Sequence, residues 1–153
     1  MEFKANVKYD GTVAEVVKVL MSRALADARA QALGIADYSF ESSENTAVTR
    51  FTVEPEGMPA KVKNFMRTGL TAAITAALDP VAHRISHKVK LQGVPAAITF
   101  AIDLTEDAGK TRADFTGEVK VSIPLLGKEL EKQAVAEVAE LLAEDAKLVN
   151  QQL

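Results

Sequence analysis

The sequence holds two histidines, His83 and His87, the side-chain type that most readily moves a proton near neutral pH. They sit in "VAHRISHKVKLQG", where His83, Ile85, His87, Val89 and Leu91 alternate with Arg84, Ser86, Lys88 and Lys90. Period two predicts a strand with both histidines on the face of Ile85 and Val89. Four residues along a strand span about 13 Å, too far to share a metal ion. If that face lines a cavity, the imidazoles can hydrogen-bond a ligand or act as general bases; if the parity is reversed, they are solvated.

The other candidates for chemistry fall away. Neither histidine has an identifiable carboxylate partner, so no Ser-His-Asp arrangement can be assembled. Glu41, Glu54, Asp103 and Asp114 lie in strand patterns, mostly at outward positions, which predicts solvated carboxylates. The absence of cysteine removes disulfides, thiolate metal sites and thiol nucleophiles together. Gly109-Lys110-Thr111 has no preceding glycine-rich loop and opens a strand, so it reads as a hairpin and not a phosphate-binding loop. No metal and no cofactor is expected.

Composition narrows the classes further. A net charge of −3 with both signs interspersed gives no basic stripe, and 5% aromatics leave few platforms for bases, which argues against nucleic acid. No segment approaches ~18 consecutive apolar residues and the start resembles no signal peptide, so no transmembrane segment and a cytoplasmic location are expected. Alanine occurs 25 times and tryptophan not at all. A core of small side chains either packs backbones closely or leaves space unfilled.

The elements that must position these residues follow from periodicity. "EFKANVKY" alternates as a half-buried strand and ends at Asp10-Gly11. Thr12 and Glu15 form a capping-box pattern for a short helix carrying Val13, Val16, Val17 and Leu20. Ser22 caps a second helix, which ends on Gly34. "IADYSFES" and "TAVTRFTVE" flank a polar hairpin turn, with Tyr38 and Phe40 on one face of the first, and Ala47, Thr49, Phe51 and Val53 on one face of the second. "PEGMP" then breaks the sheet. "GLTAAITAALDP" fits both periods: Leu70, Ala73, Ile74, Ala77 and Leu78 make a helical stripe, whereas Leu70, Ala72, Ile74, Ala76 and Leu78 line one face of a strand. Beyond it, "VPAAITFAIDLTED" and "TRADFTGEVKVSI" form a hairpin about "EDAGK". The chain closes on a long amphipathic helix whose stripe includes Leu126, Leu130, Ala134, Val138, Leu141, Leu142 and Leu148.

The order of strand, two short helices, strands and one long helix suits an α+β helix-grip domain, in which a curved antiparallel sheet wraps the C-terminal helix. "GEVKVSIPLLGKELEK", "QGVPAAITFAIDL" and Gly57-Met58-Pro59 resemble a bacterial family of unknown function in the START-like superfamily, whose relatives include lipid-transfer domains and polyketide cyclases. The resemblance implies one START-like domain over 1–153. It also implies a strand from Leu70 to Leu78 after a helical turn near 60–66.

The resemblance implies a tendency to bind ligands, and the first reading is a small hydrophobic partner, a lipid, isoprenoid or polyketide-like molecule, held between sheet and C-terminal helix without catalysis. Tyr38, Phe40, Phe51, Ile74, Ile98 and Phe100 are candidate walls, and Ala134, Val138 and Leu141 the candidate helix surface. Ala96, Ala101 and Ala113 thin the facing strands. His83, His87, Tyr38 or Arg50 would orient a polar end. Two alternatives stand beside it: a cyclase or dehydrase using a cavity histidine, and a protein-interaction module with a filled core. Oligomeric state is open.

Overall fold

The computed structural model describes residues 1–57 and 69–153. Strand β1 (Glu2–Tyr9) leads into helices α1 (Val13–Leu20) and α2 (Arg23–Leu33). The strands β2 (Tyr38–Ser43), β3 (Thr46–Val53), β4 (Leu70–Asp79), β5 (Arg84–Gln92), β6 (Ala96–Asp107) and β7 (Lys110–Val121) follow, and helix α3 (Gly127–Gln152) closes the chain. The strands form one antiparallel sheet in the order β1-β7-β6-β5-β4-β3-β2. This is the α+β helix-grip arrangement read from the sequence, with the two short helices after the first strand.

Local chemistry explains the element boundaries. The Glu15 backbone N–H donates to Thr12 Oγ1 at 3.3 Å while the Thr12 N–H donates to Glu15 Oε1 at 3.1 Å, a complete capping box. The hydrogen bonds from Thr12 hold the Glu15 carboxyl below its usual range. Ser22 Oγ accepts from the Leu25 N–H at 3.2 Å and starts α2. Gly34 ends it at φ 68°, a left-handed backbone that a Cβ would strain. Glu106 Oε1 accepts from the Val13 N–H at 3.0 Å, tying the far end of β6 to the start of α1.

The disputed stretch is a strand. β4 pairs along its whole length with β3 on one side and β5 on the other, so its backbone groups are satisfied between two neighbours, and this outweighs the helical propensity of its alanines. Its inward residues include Ala72 and Ala76, both buried. The helical turn expected near 60–66 lies outside the described residues.

The concave face of the sheet meets the helices over a core in which Tyr9, Val16, Leu25, Ile85, Ala113 and Val149 are at most 1% exposed. Each large apolar side chain so buried contributes about 1.5–3 kcal/mol relative to exposure. Gly117 on β7 permits a close approach of three neighbours at once. A Cβ there would lie 2.5 Å from Phe3 Cζ and 2.6 Å from both Phe100 Cβ and the Thr99 carbonyl oxygen.

Four details differ from the sequence reading. His83 is not in β5 but in the preceding turn, exposed, at φ 53°, because the chain must reverse after Asp79-Pro80 before pairing resumes at Arg84. Leu141 is 61% exposed, since the inward face of α3 near it passes through Leu142, Asp145 and Ala146 instead. Ala101 belongs to the convex face, because Phe100 and Ile102 are not on its side of β6. Arg50 is exposed on the outward parity of β3.

Candidate functional site

A cavity of about 140 Å³ opens beneath α2, against β2 to β5. Its helical wall is the face Ser22, Ala26, Arg29, Ala30 and Leu33, at the spacing that places side chains one turn apart on one side of a helix. Its floor follows from strand register. Ala47 on β3 lies opposite Ala76 on β4, and Ala76 opposite His87 on β5. Two methyl groups and an imidazole in a row leave room where larger residues would fill it. Phe40, Phe51 and Ile74 flank this row and make the cavity apolar.

His87 anchors one end. Its ring stacks on Phe100, its partner across β5 and β6, with centroids 4.3 Å apart and planes 7° from parallel. Its Nδ1 is buried with no hydrogen-bond partner among the described residues. Burial pushes the imidazole from its ordinary 6.5 down to about 4, and the Arg29 guanidinium adds to the effect, while the Ile85 backbone and Asp145 oppose it. His87 is therefore neutral at pH 7.

Arg29 lines the cavity from above and is held from behind. Its Nε and Nη2 donate to the two carboxylate oxygens of Asp145 on α3, both at 2.7 Å. This bidentate pair fixes α2 to the long helix. The same pair acts on Tyr9, whose hydroxyl is pushed well above its usual range by burial first and by Asp145 second. At the rim, the Tyr38 hydroxyl donates to Asp27 Oδ1 at 2.6 Å, which raises the phenol above its ordinary range and turns it along α2. Arg23 Nη2 donates to the Phe40 carbonyl at 2.7 Å and its guanidinium sits 5.5 Å from the Phe40 ring centre.

Of the residues singled out in the sequence, Tyr38, Phe40, Phe51, Ile74 and His87 line this cavity together. Phe100 stands behind His87, and Ile98 lies one inward position along β6, opposite Val89 and Val119. Ala134 and Val138 are half-buried on α3 and do not line it, nor do His83 and the exposed Leu141. Among the described residues, no group of three His, Cys, Asp or Glu side chains could hold a metal ion. No described helix is long and apolar enough to cross a membrane.

Two features escaped the sequence reading. The small-residue face of α2 was visible as Ala26, Ala30 and Arg29 at helical spacing, a signal available in principle. The partnership of Arg29 with Asp145 joins positions far apart in the chain and leaves no local signature.

Comparison with solved structures shows the START-like fold. TTHA0849 from Thermus thermophilus superposes with a TM-score of 0.70 at 12% identity, covering 99% of this chain and 96% of that one. Zhui aromatase/cyclase from Streptomyces sp. R1128 gives 0.64 at 14% identity, covering 99% and 93%. A START superfamily protein from Mycobacterium smegmatis gives 0.64 at 15%, covering 99% of both chains. No curated protein matches the sequence. The chain belongs to the family described as protein of unknown function (DUF2505), whose family model matches residues 4–153.

Proposed function

We propose that this protein binds a small hydrophobic molecule, without chemical conversion, in the cavity between α2 and the β2–β5 face of the sheet. The observation that supports this most is the small-residue floor of Ala47 and Ala76, beside the buried imidazole of His87, in a mostly apolar cavity of about 140 Å³. That volume suits a single ring or a short branched chain, by comparison with apolar protein cavities of ~150 Å³ that take benzene. Burial would drive uptake at about 25 cal/mol per Å² of apolar surface removed from water. The described cavity lies beneath α2, so it is this helix, more than α3, that would cover the ligand.

A second reading is a cyclase- or dehydrase-type enzyme with His87 as acid or base. It is favoured by the place of His87 in the cavity and by the likeness in fold to an aromatase/cyclase. A histidine whose titration is pushed down to about 4 holds a proton poorly at neutral pH and is a weak general base there. Simple binding is therefore the better account.

The test is uptake of 4-fluorotoluene, followed by ¹⁹F NMR on wild type and on Ala76→Phe. Ala76 is 7% exposed and faces the cavity, so a phenyl ring there occupies the ligand's place. Saturable binding by wild type and its loss in a folded Ala76→Phe protein is the expected outcome. Absence of binding to wild type, or equal binding by both, refutes the reading.

A further inference from the structure

Arg29 is the one charged side chain among the described residues that line the cavity, and a lone arginine in an apolar chamber would be an anchor for a carboxylate. Its geometry says otherwise. Nε and Nη2 are both committed to Asp145, each at 2.7 Å, in the planar two-point pairing that best neutralises a guanidinium. Asp145 approaches from α3 and does not itself line the cavity. The chamber thus sees the remaining N–H groups of Arg29 but little net charge. His87, neutral at pH 7, supplies none either.

We propose that the cavity admits uncharged ligands and rejects carboxylates, and that Asp145 sets this selectivity by holding the Arg29 guanidinium from behind. The proposal rests on the binding reading above and narrows it to a chemical class: apolar molecules whose polar end is a hydroxyl or a carbonyl. The Arg29 and Asp145 side chains keep 39% and 25% exposure, so a carboxylate entering here loses part of its hydration without a free cation to offset it, and Asp145 would repel it as well. A neutral hydroxyl or carbonyl needs only a single hydrogen bond, which the remaining N–H groups of Arg29 can provide. Tyr38 is already turned toward Asp27 at the rim and does not compete for the ligand's polar end.

The test compares 4-fluorobenzyl alcohol with 4-fluorobenzoate at pH 7 by ¹⁹F NMR, two probes alike in ring and size and different in charge. Wild type should prefer the alcohol by at least about tenfold, the equivalent of about 1.4 kcal/mol. In Asp145→Asn, which keeps the shape and releases the guanidinium charge, that ratio should fall by about tenfold or more, toward parity or reversal. Arg29→Gln, which leaves Asp145 unpaired, should keep the alcohol preference. Equal or tighter binding of benzoate by wild type overturns the proposal without any variant, and so does an unchanged ratio in folded Asp145→Asn. If 4-fluorotoluene binds while the alcohol preference is missing, the selectivity argument fails alone. If none of the three probes binds wild type, both readings fail.

Discussion

Replacing His87 with leucine should change how the protein responds to acid more than how stable it is at neutral pH. A histidine that titrates at 6.5 when unfolded and at about 4 when folded takes up a proton on unfolding throughout that interval. Stability must then fall as pH falls, because the unfolded chain binds more protons than the folded one. Integrating between pH 7 and pH 5 gives a loss of about 2 kcal/mol from this one group. At pH 7 the leucine variant loses the stacking on Phe100, about 0.5–1.5 kcal/mol, and gains the removal of an unpartnered buried nitrogen, worth a similar amount, so the two proteins should be close. The assay is urea unfolding followed by far-UV circular dichroism at pH 7 and pH 5. Carboxylates held below their usual range, such as Glu15, lower stability in acid in both proteins and cancel in the difference. Wild type should lose about 2 kcal/mol more than His87→Leu over this interval. Parallel losses would show that the imidazole is charged, or hydrated, in the folded state and would refute the description of His87 as buried and neutral at that end of the cavity.

Gly117→Ala should cost more than a surface substitution. The new methyl would meet Phe3, Phe100 and the Thr99 carbonyl at 2.5–2.6 Å, and a strand shift to relieve that costs about 1–3 kcal/mol or more, read as a lower urea midpoint at unchanged slope. Because Phe100 backs His87, the same variant should also alter the His87 ring signals in NMR. Thr12→Ala removes the cap of α1 and should cost about 1 kcal/mol; the change in unfolding midpoint measures it, and no change would mean that the Val13 N–H bond to Glu106 suffices alone.

Where residues signal through their immediate neighbours, the fold was legible. Thr12, Ser22 and Gly34 act within one turn of chain, and the alternation in β5 and β7 survives intact because one face meets the core and the other meets water. β4 was the hard case. Its residues satisfy two periods at once, and what decides between them is the presence of β3 and β5 on either side, which no window of sequence contains. The site was partly legible for the same reason. Strand parity places Tyr38, Phe40, Phe51, Ile74 and His87 on one surface, but the alternation in sequence runs on through His83 although the strand begins only at Arg84. On α3 a broad stripe of leucines and alanines blurred the true inward face, which includes a charged residue, Asp145, because its partner Arg29 lies on α2.

The sheet order has a consequence in time. β2 through β5, the strands beneath the cavity, are neighbours both in sequence and in space, so the cavity floor can form from successive hairpins. β1 is different. It precedes the other strands in the domain, yet among the described residues it pairs with β7 alone, with Glu2 opposite Glu118, so it waits as an open edge until β7 has been made. Closing so distant a pair is the slow kind of folding event, because the entropy of a long loop is lost before any contact compensates. During synthesis, the floor of the cavity can thus assemble before β7, which gives β1 its partner, and α3, which holds Arg29, have been made.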